Sequence, residues 1–195
     1  ARDTGAITLQ VTGTNDQPAI TVEAGDDDSL EVTETDAALT VSGTLTLTDL
    51  DEDDTVTTAV DEVSASTTNG TVDIVNDGTT GALLSVNGVA AADLLAMLSV
   101  PTAPVLIDDT NNSAQFTYEF DSGSEFFDFL DLDDELVLTY TISAMDDSAS
   151  PGTGENESDT GTKTVTISIT GTNDSPSIAA DCITIDEDGN TVAPG

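Results

Sequence analysis

Hydrophobic and polar residues alternate along most of the chain, which is typical of β-strands that bury one face. Five segments show the alternation best, and all of them are rich in Thr, Val, Ile and Leu. They are residues 38–49, 55–66, 114–120, 135–146 and 163–171. Clusters of Gly, Asn and Asp separate these segments, as turns do between antiparallel strands. The pattern therefore predicts an all-β fold, an antiparallel β-sandwich.

One segment departs from the alternation. Residues 88–100, GVAAADLLAMLSV, are rich in Ala, Leu and Met, and Pro101 follows them. We expect a short helix there that ends before the proline and covers one edge of the sandwich. The threonines of residues 44–48 have two interpretations: the solvent side of a strand, which β-propensity favours, or a face that binds ice or sugar.

The pentapeptide TGTND occurs twice, at residues 12–16 and at residues 170–174, with Pro18 and Pro176 two residues behind the two copies. The similarity is wider than the pentapeptide. DTGAITLQVTGTNDQP, which begins at Asp3, resembles DTGTKTVTISITGTNDSP, which begins at Asp159. Both stretches alternate as strands do before they enter the same turn.

The similarity continues beyond the turn, where LEVTET places Glu34 opposite Glu187 of ITIDED. We interpret the chain as one complete repeat of about 158 residues, cut from a tandem array. Three parts follow from this interpretation. They are residues 1–16, the last strand of a preceding repeat and its linker, residues 17–174, the complete repeat, and residues 175–195, the start of the following repeat.

The chain is strongly acidic, and this charge limits the partners that it can bind. Among 195 residues, 39 are Asp or Glu, 2 are Lys or Arg and none is His, so the net charge is −37. Two carboxylates about 4 Å apart repel by roughly 4 kcal/mol near a protein surface, so clusters of them require counter-ions. The same charge excludes nucleic acid as a partner. No run of 18 apolar residues predicts a membrane span, and Cys182 alone forms no intrachain disulfide framework.

The acidic residues are concentrated where predicted strands meet loops. The clusters are Asn15 and Asp16; Asp49, Asp51, Asp53 and Asp54; Asp131, Asp133, Asp134 and Glu135; Asp146 and Asp147; and Asn173 and Asp174. Calcium prefers carboxylate, amide and carbonyl oxygens and needs six to eight of them, so several strand ends must converge on one ion. A single loop Asp is more often a turn former, but the whole set favours metal binding.

Catalysis has little support in the sequence. The chain has no His and no Trp, and it has no Gly-rich phosphate loop. A carboxylate pair for glycoside hydrolysis can be chosen from the 39 acidic residues in many ways, but nothing distinguishes one pair. We therefore expect that the chain is not an enzyme.

Two stretches together resemble a known family. VSGTLTLTDLDEDDTV, and FTYEF with FFDFLDLDDELVLTYTISAMDD and TKTVTISITGTNDSP, look like the VCBS repeat, a cadherin-like module of giant bacterial surface adhesins of the RTX type. The resemblance covers residues 16–66 and 116–176 and leaves residues 67–113 as an enlargement that holds the expected helix. It implies a cadherin-like, Ig-like sandwich.

The resemblance also implies calcium ligands, by similarity to the cadherin pattern of linker N-D, D-x-D and a later Asp. At the N-terminal end of the repeat these ligands are Asn15, Asp16, Asp49, Asp51 and Asp146. At the other end they are Glu34, Asp131, Asp133, Asn173 and Asp174. Asp133 departs from the pattern, because cadherins have Glu at that position.

The function implied is that of an extender, a spacer domain of a long adhesin at the bacterial cell surface. Several Ca²⁺ ions at the joints between repeats would stiffen the array and project a distal binding domain. The expected partners are the neighbouring repeats of the same chain, in a monomeric, extracellular module without membrane insertion. The alternative is a module of the same adhesin that binds a glycan, ice or another protein.

Overall fold

The computed structural model describes residues 5–11, 14–51, 55–68, 72–103, 105–106, 112–147, 158–174, 184–185 and 191–192. The residues outside these ranges include Asp53, Cys182 and Pro176, which the sequence analysis singled out. In the described part, no helix is long and apolar enough to cross a membrane.

The first sheet of the sandwich has four antiparallel strands. Their order across the sheet is β1 (Ala19–Thr21), β3 (Thr40–Thr48), β10 (Ser113–Asp121) and β8 (Leu98–Ser99). The longest pairing joins β3 to β10 over the whole length of both strands, from Ser113 opposite Thr48 to Asp121 opposite Thr40. This pairing fixes the register of the sheet.

The second sheet has five strands. Their order is β2 (Ser29–Thr33), β12 (Thr160–Thr170), β11 (Glu135–Met145), β4 (Thr55–Thr67) and β9 (Val105–Leu106). The pairing of β2 with β12 is parallel, and the other pairings are antiparallel. Because β1 and β2 follow each other in the chain but belong to different sheets, the chain crosses the edge of the sandwich between them. This arrangement is Ig-like, and the predicted antiparallel sandwich is confirmed.

The core lies between the two sheets and consists of the inward positions of the alternating strands. Many of its fully buried apolar and aromatic side chains come from β3, β10, β11 and β12. They include Leu45, Leu47, Tyr118, Phe120, Leu136, Leu138, Tyr140, Ile142, Val165, Ile167 and Ile169. The alternation read from the sequence is therefore the burial pattern of the structure.

The enlargement between β4 and β10 adds a small layer to the same core. It contains a three-stranded antiparallel sheet of β5 (Ile74–Asn76), β6 (Leu83–Val86) and β7 (Val89–Ala90), followed by the helix α1 (Ala91–Ala96). Leu94 of α1 is buried, and its carbonyl oxygen accepts a hydrogen bond of 2.9 Å from the Tyr140 hydroxyl. The helix thus closes one side of the core, as expected.

The helix is shorter than the predicted segment of residues 88–100. It has no side-chain hydrogen bond at its N-cap, and it lies between two short strands, β7 before it and β8 after it. The two ends of the apolar segment pair with sheet edges instead of continuing the helix, because tertiary pairing outweighs the weak helix propensity of so short a segment.

The strand predicted before the first TGTND is not present in the described part of the chain. Residues 5–11 form no strand, and three apolar side chains among them are almost fully exposed: Ile7 (96%), Leu9 (83%) and Val11 (82%). A strand needs a neighbour to pair with, and no described strand pairs with these residues. Because they were assigned to a preceding repeat, that assignment stays a prediction. β13 (Thr184–Ile185) and β14 (Thr191–Val192) form an antiparallel pair of their own.

The crossing from β1 to β2 is held by one carboxylate. Asp26 accepts hydrogen bonds from the Thr46 hydroxyl (2.6 Å), the Thr44 hydroxyl (2.9 Å) and the Gln115 amide (2.7 Å). It also accepts one from the Glu23 backbone N–H at 3.1 Å. These bonds, with that of Thr46 the largest cause, lower the pKa of Asp26 to about 2.

Asp26→Asn should therefore destabilise the protein in a pH-dependent way. A carboxyl whose pKa is lower in the folded chain than its model value of 3.8 contributes stability above that value and loses it as the pH falls towards 2. In EDTA, we expect Asp26→Asn to lower the melting temperature at pH 6 and to differ less from the wild type at pH 2. Asp61→Asn, at an exposed position of β4, is the control. A penalty of equal size at both pH values would contradict the role of the Asp26 charge.

Candidate metal centres

The candidate ligands lie at the two ends of the long strands. The pairing of β11 with β12 runs from Met145 opposite Thr160 to Glu135 opposite Thr170. At about 3.3 Å per residue its ends are roughly 33 Å apart. We call the end near Met145 and Thr160 the N-terminal pole, and the end near Glu135 and Thr170 the C-terminal pole. Asn15 and Asp16 of the first TGTND lie at the N-terminal pole, and Thr172 of the second lies at the C-terminal pole.

At the N-terminal pole the structure brings together all five predicted residues. The Asn15 side-chain amide donates to Asp146 Oδ2 at 3.1 Å, and the Asp16 backbone N–H donates to Asp51 Oδ2 at 2.5 Å. The Asp51 backbone N–H in turn donates to Asp49 Oδ1 at 3.1 Å. The linker of residues 15–16 is therefore held against carboxylates of the body of the repeat.

Two of the five side chains are buried. Asp49 and Asp146 are each 2% exposed, directly after β3 and β11. The Asp159 backbone N–H donates to Asp146 Oδ1 at 2.9 Å. Backbone amides thus compensate part of the negative charge, because hydrogen bonds from N–H groups to a carboxylate are strong. Backbone amides carry no net charge, so the N-terminal pole keeps its net negative charge.

At the C-terminal pole, Glu34 is the fixed point. Its side chain is fully buried, and its Oε1 atom accepts two hydrogen bonds of 2.6 Å from Thr172, one from the backbone N–H and one from the hydroxyl. The Glu34 backbone N–H donates to the Thr170 carbonyl oxygen at 2.9 Å. Glu34 therefore ties the second TGTND to the end of β2. Its other oxygen, Oε2, is buried and has no hydrogen-bond partner in the described part of the chain.

The turn after Phe127 brings Asp131 to the same end. The Asp134 backbone N–H donates to the Asp131 carbonyl oxygen at 2.9 Å, and the Gly171 N–H donates to the Asp134 carbonyl oxygen at 2.9 Å. A Cβ atom on Gly171 would clash with the Asp131 carbonyl oxygen and with Leu130. The glycine of TGTND is thus needed for the close approach of this turn to the linker. Asp133, at a φ of 67°, is the left-handed residue of the turn.

An open cavity of about 580 Å³ lies beside Glu34. Carboxylates from three places in the chain line it, and so does the linker asparagine: Glu34, Asp36, Asp128, Asn173 and Asp174. Asp131 and Asp133 are not among its lining residues. Sequence reasoning missed Asp36 and Asp128, because neither matches a ligand position of the cadherin pattern.

Electrostatic crowding at this cavity shifts the pKa of one carboxyl. The pKa of the Asp174 carboxyl is raised, first by loss of hydration and then by four neighbouring carboxylates. These are Glu34, Asp128, Asp36 and Asp131. A raised carboxyl pKa means that the folded state favours the neutral form, so the ionised Asp174 opposes folding above its pKa. A cation at this cavity would reverse that effect.

The residues at both poles carry the kinds of oxygen atom that bind calcium. Their side chains do not meet at one point. In the described residues, no three Asp, Glu, His or Cys side chains stand close enough together to hold a metal ion. The oxygens present are those of carboxylates and amides, which Ca²⁺ prefers. Glu34 Oε2 is a buried acceptor that needs a partner, since a buried polar group without one costs about 1–3 kcal/mol and a charged one more. A cation at either pole requires the exposed carboxylates to rotate inwards.

In the described part of the chain, the centre of the threonine stripe is engaged by another side chain, and most of the aromatic rings are turned inwards. Thr44 and Thr46, the centre of the threonine stripe, donate to Asp26 of the chain crossing. The chain has five Phe, two Tyr and no Trp. Five of these aromatic side chains are buried, and Phe126 and Phe129 are half-buried. The chain therefore presents no fully exposed aromatic ring to a ligand.

No known protein-family model matches the chain, and no curated protein sequence does. The fold is similar to three solved structures at low TM-scores. A PapD-like domain of human CEP192 has a TM-score of 0.37 and 8% identity, and the match covers 90% of this chain and 99% of that one. The CooA pilin subunit of enterotoxigenic Escherichia coli has a TM-score of 0.33 and 14% identity, with coverages of 82% and 100%.

The third structure is AggA, the major subunit of aggregative adherence fimbriae type I of Escherichia coli. It has a TM-score of 0.31 and 12% identity, with coverages of 84% and 99%. These TM-scores are too low for the three structures to support a conclusion about this chain. The class of protein is defined by its own strand order and poles: an Ig-like all-β sandwich with buried carboxylates at both ends.

Gly171→Ala tests the close approach at the C-terminal pole. Because the added methyl group meets backbone atoms that cannot rotate away, we expect a loss of about 1–3 kcal/mol in the free energy of unfolding, measured by urea denaturation. Gly78→Ala is the matched control, since nothing lies within 4 Å of its added Cβ. It should be neutral, or stabilise by up to about 1 kcal/mol. Equal stability of the two variants would contradict the packing described for Gly171.

Proposed function

We propose that the chain is a calcium-stiffened spacer repeat from a tandem array in an extracellular adhesin of a bacterial surface. One observation carries the proposal. Two copies of the same linker motif lie at opposite poles of one sandwich, each beside a buried carboxylate of the repeat: Asp146 at one pole and Glu34 at the other. The family resemblance of the sequence supports the same function.

The two poles supply the two halves of one joint. At the N-terminal pole, a linker Asn and Asp contact the body of the repeat that follows them. At the C-terminal pole, the equivalent Asn173 and Asp174 leave the repeat that precedes them and lie beside its cavity. In an array, a single linker would therefore stand between both sets of carboxylates. Calcium shared by the linker and both repeats would fix their relative orientation.

The mechanism depends on charge. Without metal, the carboxylates gathered at a joint repel each other, and the linker is held only by its hydrogen bonds. With metal, each ion cancels two charges and crosslinks several segments, so binding free energy becomes stability of the assembled joint. Extracellular modules hold calcium with a Kd of about 10⁻⁴ to 10⁻³ M, which suits an exterior environment.

A spacer accounts for the structure better than the alternative, a module that binds a glycan, ice or a protein. The two tyrosines are buried in the core, and the threonine stripe is engaged by Asp26. Most described apolar residues of the enlargement belong to the common core, and Val75 and Leu84 are exposed. The buried carboxylates lie at the ends of the long strands, where a neighbour in an array would stand.

Calcium removal is the main test of this function. At calcium concentrations 10 to 100 times Kd, each site should add about 1.4–2.7 kcal/mol. For a domain of this size, that corresponds to a rise in melting temperature of roughly 3–10 °C per site. We expect the melting temperature to fall in EDTA and to recover with CaCl₂ in excess. Small-angle scattering should show a more compact, better ordered chain with calcium. Identical melting and scattering in EDTA and in calcium would contradict the proposal.

Asp49→Asn with Asp51→Asn tests the N-terminal pole. Asn can still accept the hydrogen bonds from Asp51 N–H and Asp16 N–H, so the fold should persist while the charge needed for calcium is lost. We expect the calcium-induced rise in melting temperature to shrink by about one site's share, with melting in EDTA unchanged or slightly higher.

The matched control is Asp61→Asn with Asp73→Asn, which removes the same charge from exposed positions that are not candidate ligands. It should leave the calcium response intact. If both double variants respond to calcium equally, Asp49 and Asp51 are not ligands. If the pole variant is equally less stable with and without calcium, these residues act only through hydrogen bonds.

A further inference from the structure

The cavity at the C-terminal pole differs from the site that the family resemblance implies. Two loop carboxylates that the resemblance does not assign, Asp36 and Asp128, line the cavity together with Glu34. Two that it does assign, Asp131 and Asp133, do not. All lining residues belong to residues 33–36, 128 and 172–174, so the cavity is formed by one repeat and its own outgoing linker.

Glu34 lines this cavity, and one oxygen of its carboxylate is buried without a partner in the described residues. The carboxylate is fully buried, and Thr172 holds its Oε1 atom by two hydrogen bonds, so the side chain cannot turn away. Its Oε2 atom has no hydrogen-bond partner in the described residues. Burying a carboxylate oxygen in this state is costly unless a proton or a cation compensates it.

The surroundings favour a cation over a proton. A proton on Glu34 would satisfy Oε2 but would leave the negative charges of Asp36, Asp128 and Asp174 facing each other. A divalent cation neutralises two charges at once and attracts the others. The exposed side chains of Asp36 and Asp128 can rotate towards the fixed oxygen of Glu34. A volume of about 580 Å³ has room for the ion and for the waters that complete its coordination.

We propose that this cavity binds one calcium ion within a single repeat, through Glu34 Oε2 and the carboxylates of Asp36 and Asp128. Asn173, Asp174 and water supply the remaining oxygens. The inference rests on the proposed function for the identity of the cation, and it adds two ligands and an order of events. This ion binds without the following repeat, and through Glu34 and Thr172 it holds the outgoing linker before the next domain is engaged.

Isothermal titration of CaCl₂ into the metal-stripped 195-residue chain tests the site. We expect Asp36→Asn with Asp128→Asn to lose one calcium equivalent or to weaken it at least ten-fold. Asp49→Asn with Asp51→Asn should affect a different equivalent. The charge-matched control, Asp61→Asn with Asp73→Asn, should titrate as the wild type does. Melting in EDTA identifies any variant that fails to fold.

Glu34→Gln separates a bound cation from a bound proton. The variant keeps an oxygen for the Thr172 hydrogen bonds but has the neutral charge of a protonated Glu34. It should lose the same calcium equivalent as Asp36→Asn with Asp128→Asn, and the triple variant should lose no more than either. If Glu34→Gln binds calcium as the wild type does, Glu34 is compensated by a proton and the inference is wrong.

Two further outcomes separate this inference from the proposed function. If Asp36→Asn with Asp128→Asn titrates as the control does while the N-terminal pole variant loses an equivalent, the cavity site is wrong and the spacer function stands. If the wild-type chain binds no calcium at all, both are overturned.

Discussion

Repulsion between carboxylates is the interaction on which both ends of this sandwich depend. The chain carries a net charge of −37, and the one basic side chain within the described ranges, Lys163, forms an ion pair of 2.6 Å with Asp28, away from both poles. The carboxylates at the poles must therefore be compensated by hydrogen-bond donors or by cations from solution. At the N-terminal pole, hydrogen-bond donors contact the carboxylates. At the C-terminal pole, which has fewer donors, an open cavity remains.

The two poles meet this constraint differently. At the N-terminal pole, N–H groups of the linker and of Asp51 and Asp159 point at carboxylates, so the linker is docked even without a cation. At the C-terminal pole, Thr172 compensates only one oxygen of Glu34, and the acids around the cavity stay crowded. The same linker motif thus has a hydrogen-bonded environment at one pole and a charged environment at the other. A cation would therefore have a different role at each pole.

The rest of the fold keeps the poles apart and accessible. Long pairings of β3 with β10 and of β11 with β12 set the distance between the ends. The buried residues of α1 and of its small sheet share one core with the main sheets. Asp26 fixes the crossing between the sheets, so that β2 meets β12 in parallel and delivers Glu34 to the second TGTND.

The sequence by itself determined the strands with period-two alternation, the repeated linker and the strand-end acids, since these are local patterns with a direct physical meaning. It overestimated the helix, and it predicted a strand at residues 5–11 that has no partner to pair with. It also did not identify Asp36 and Asp128. The tertiary structure alone decided that these two acids face Glu34, because their approach depends on the parallel β2–β12 pairing and on the turns after Phe127. Local sequence records neither the pairing nor the closeness of the loops it joins.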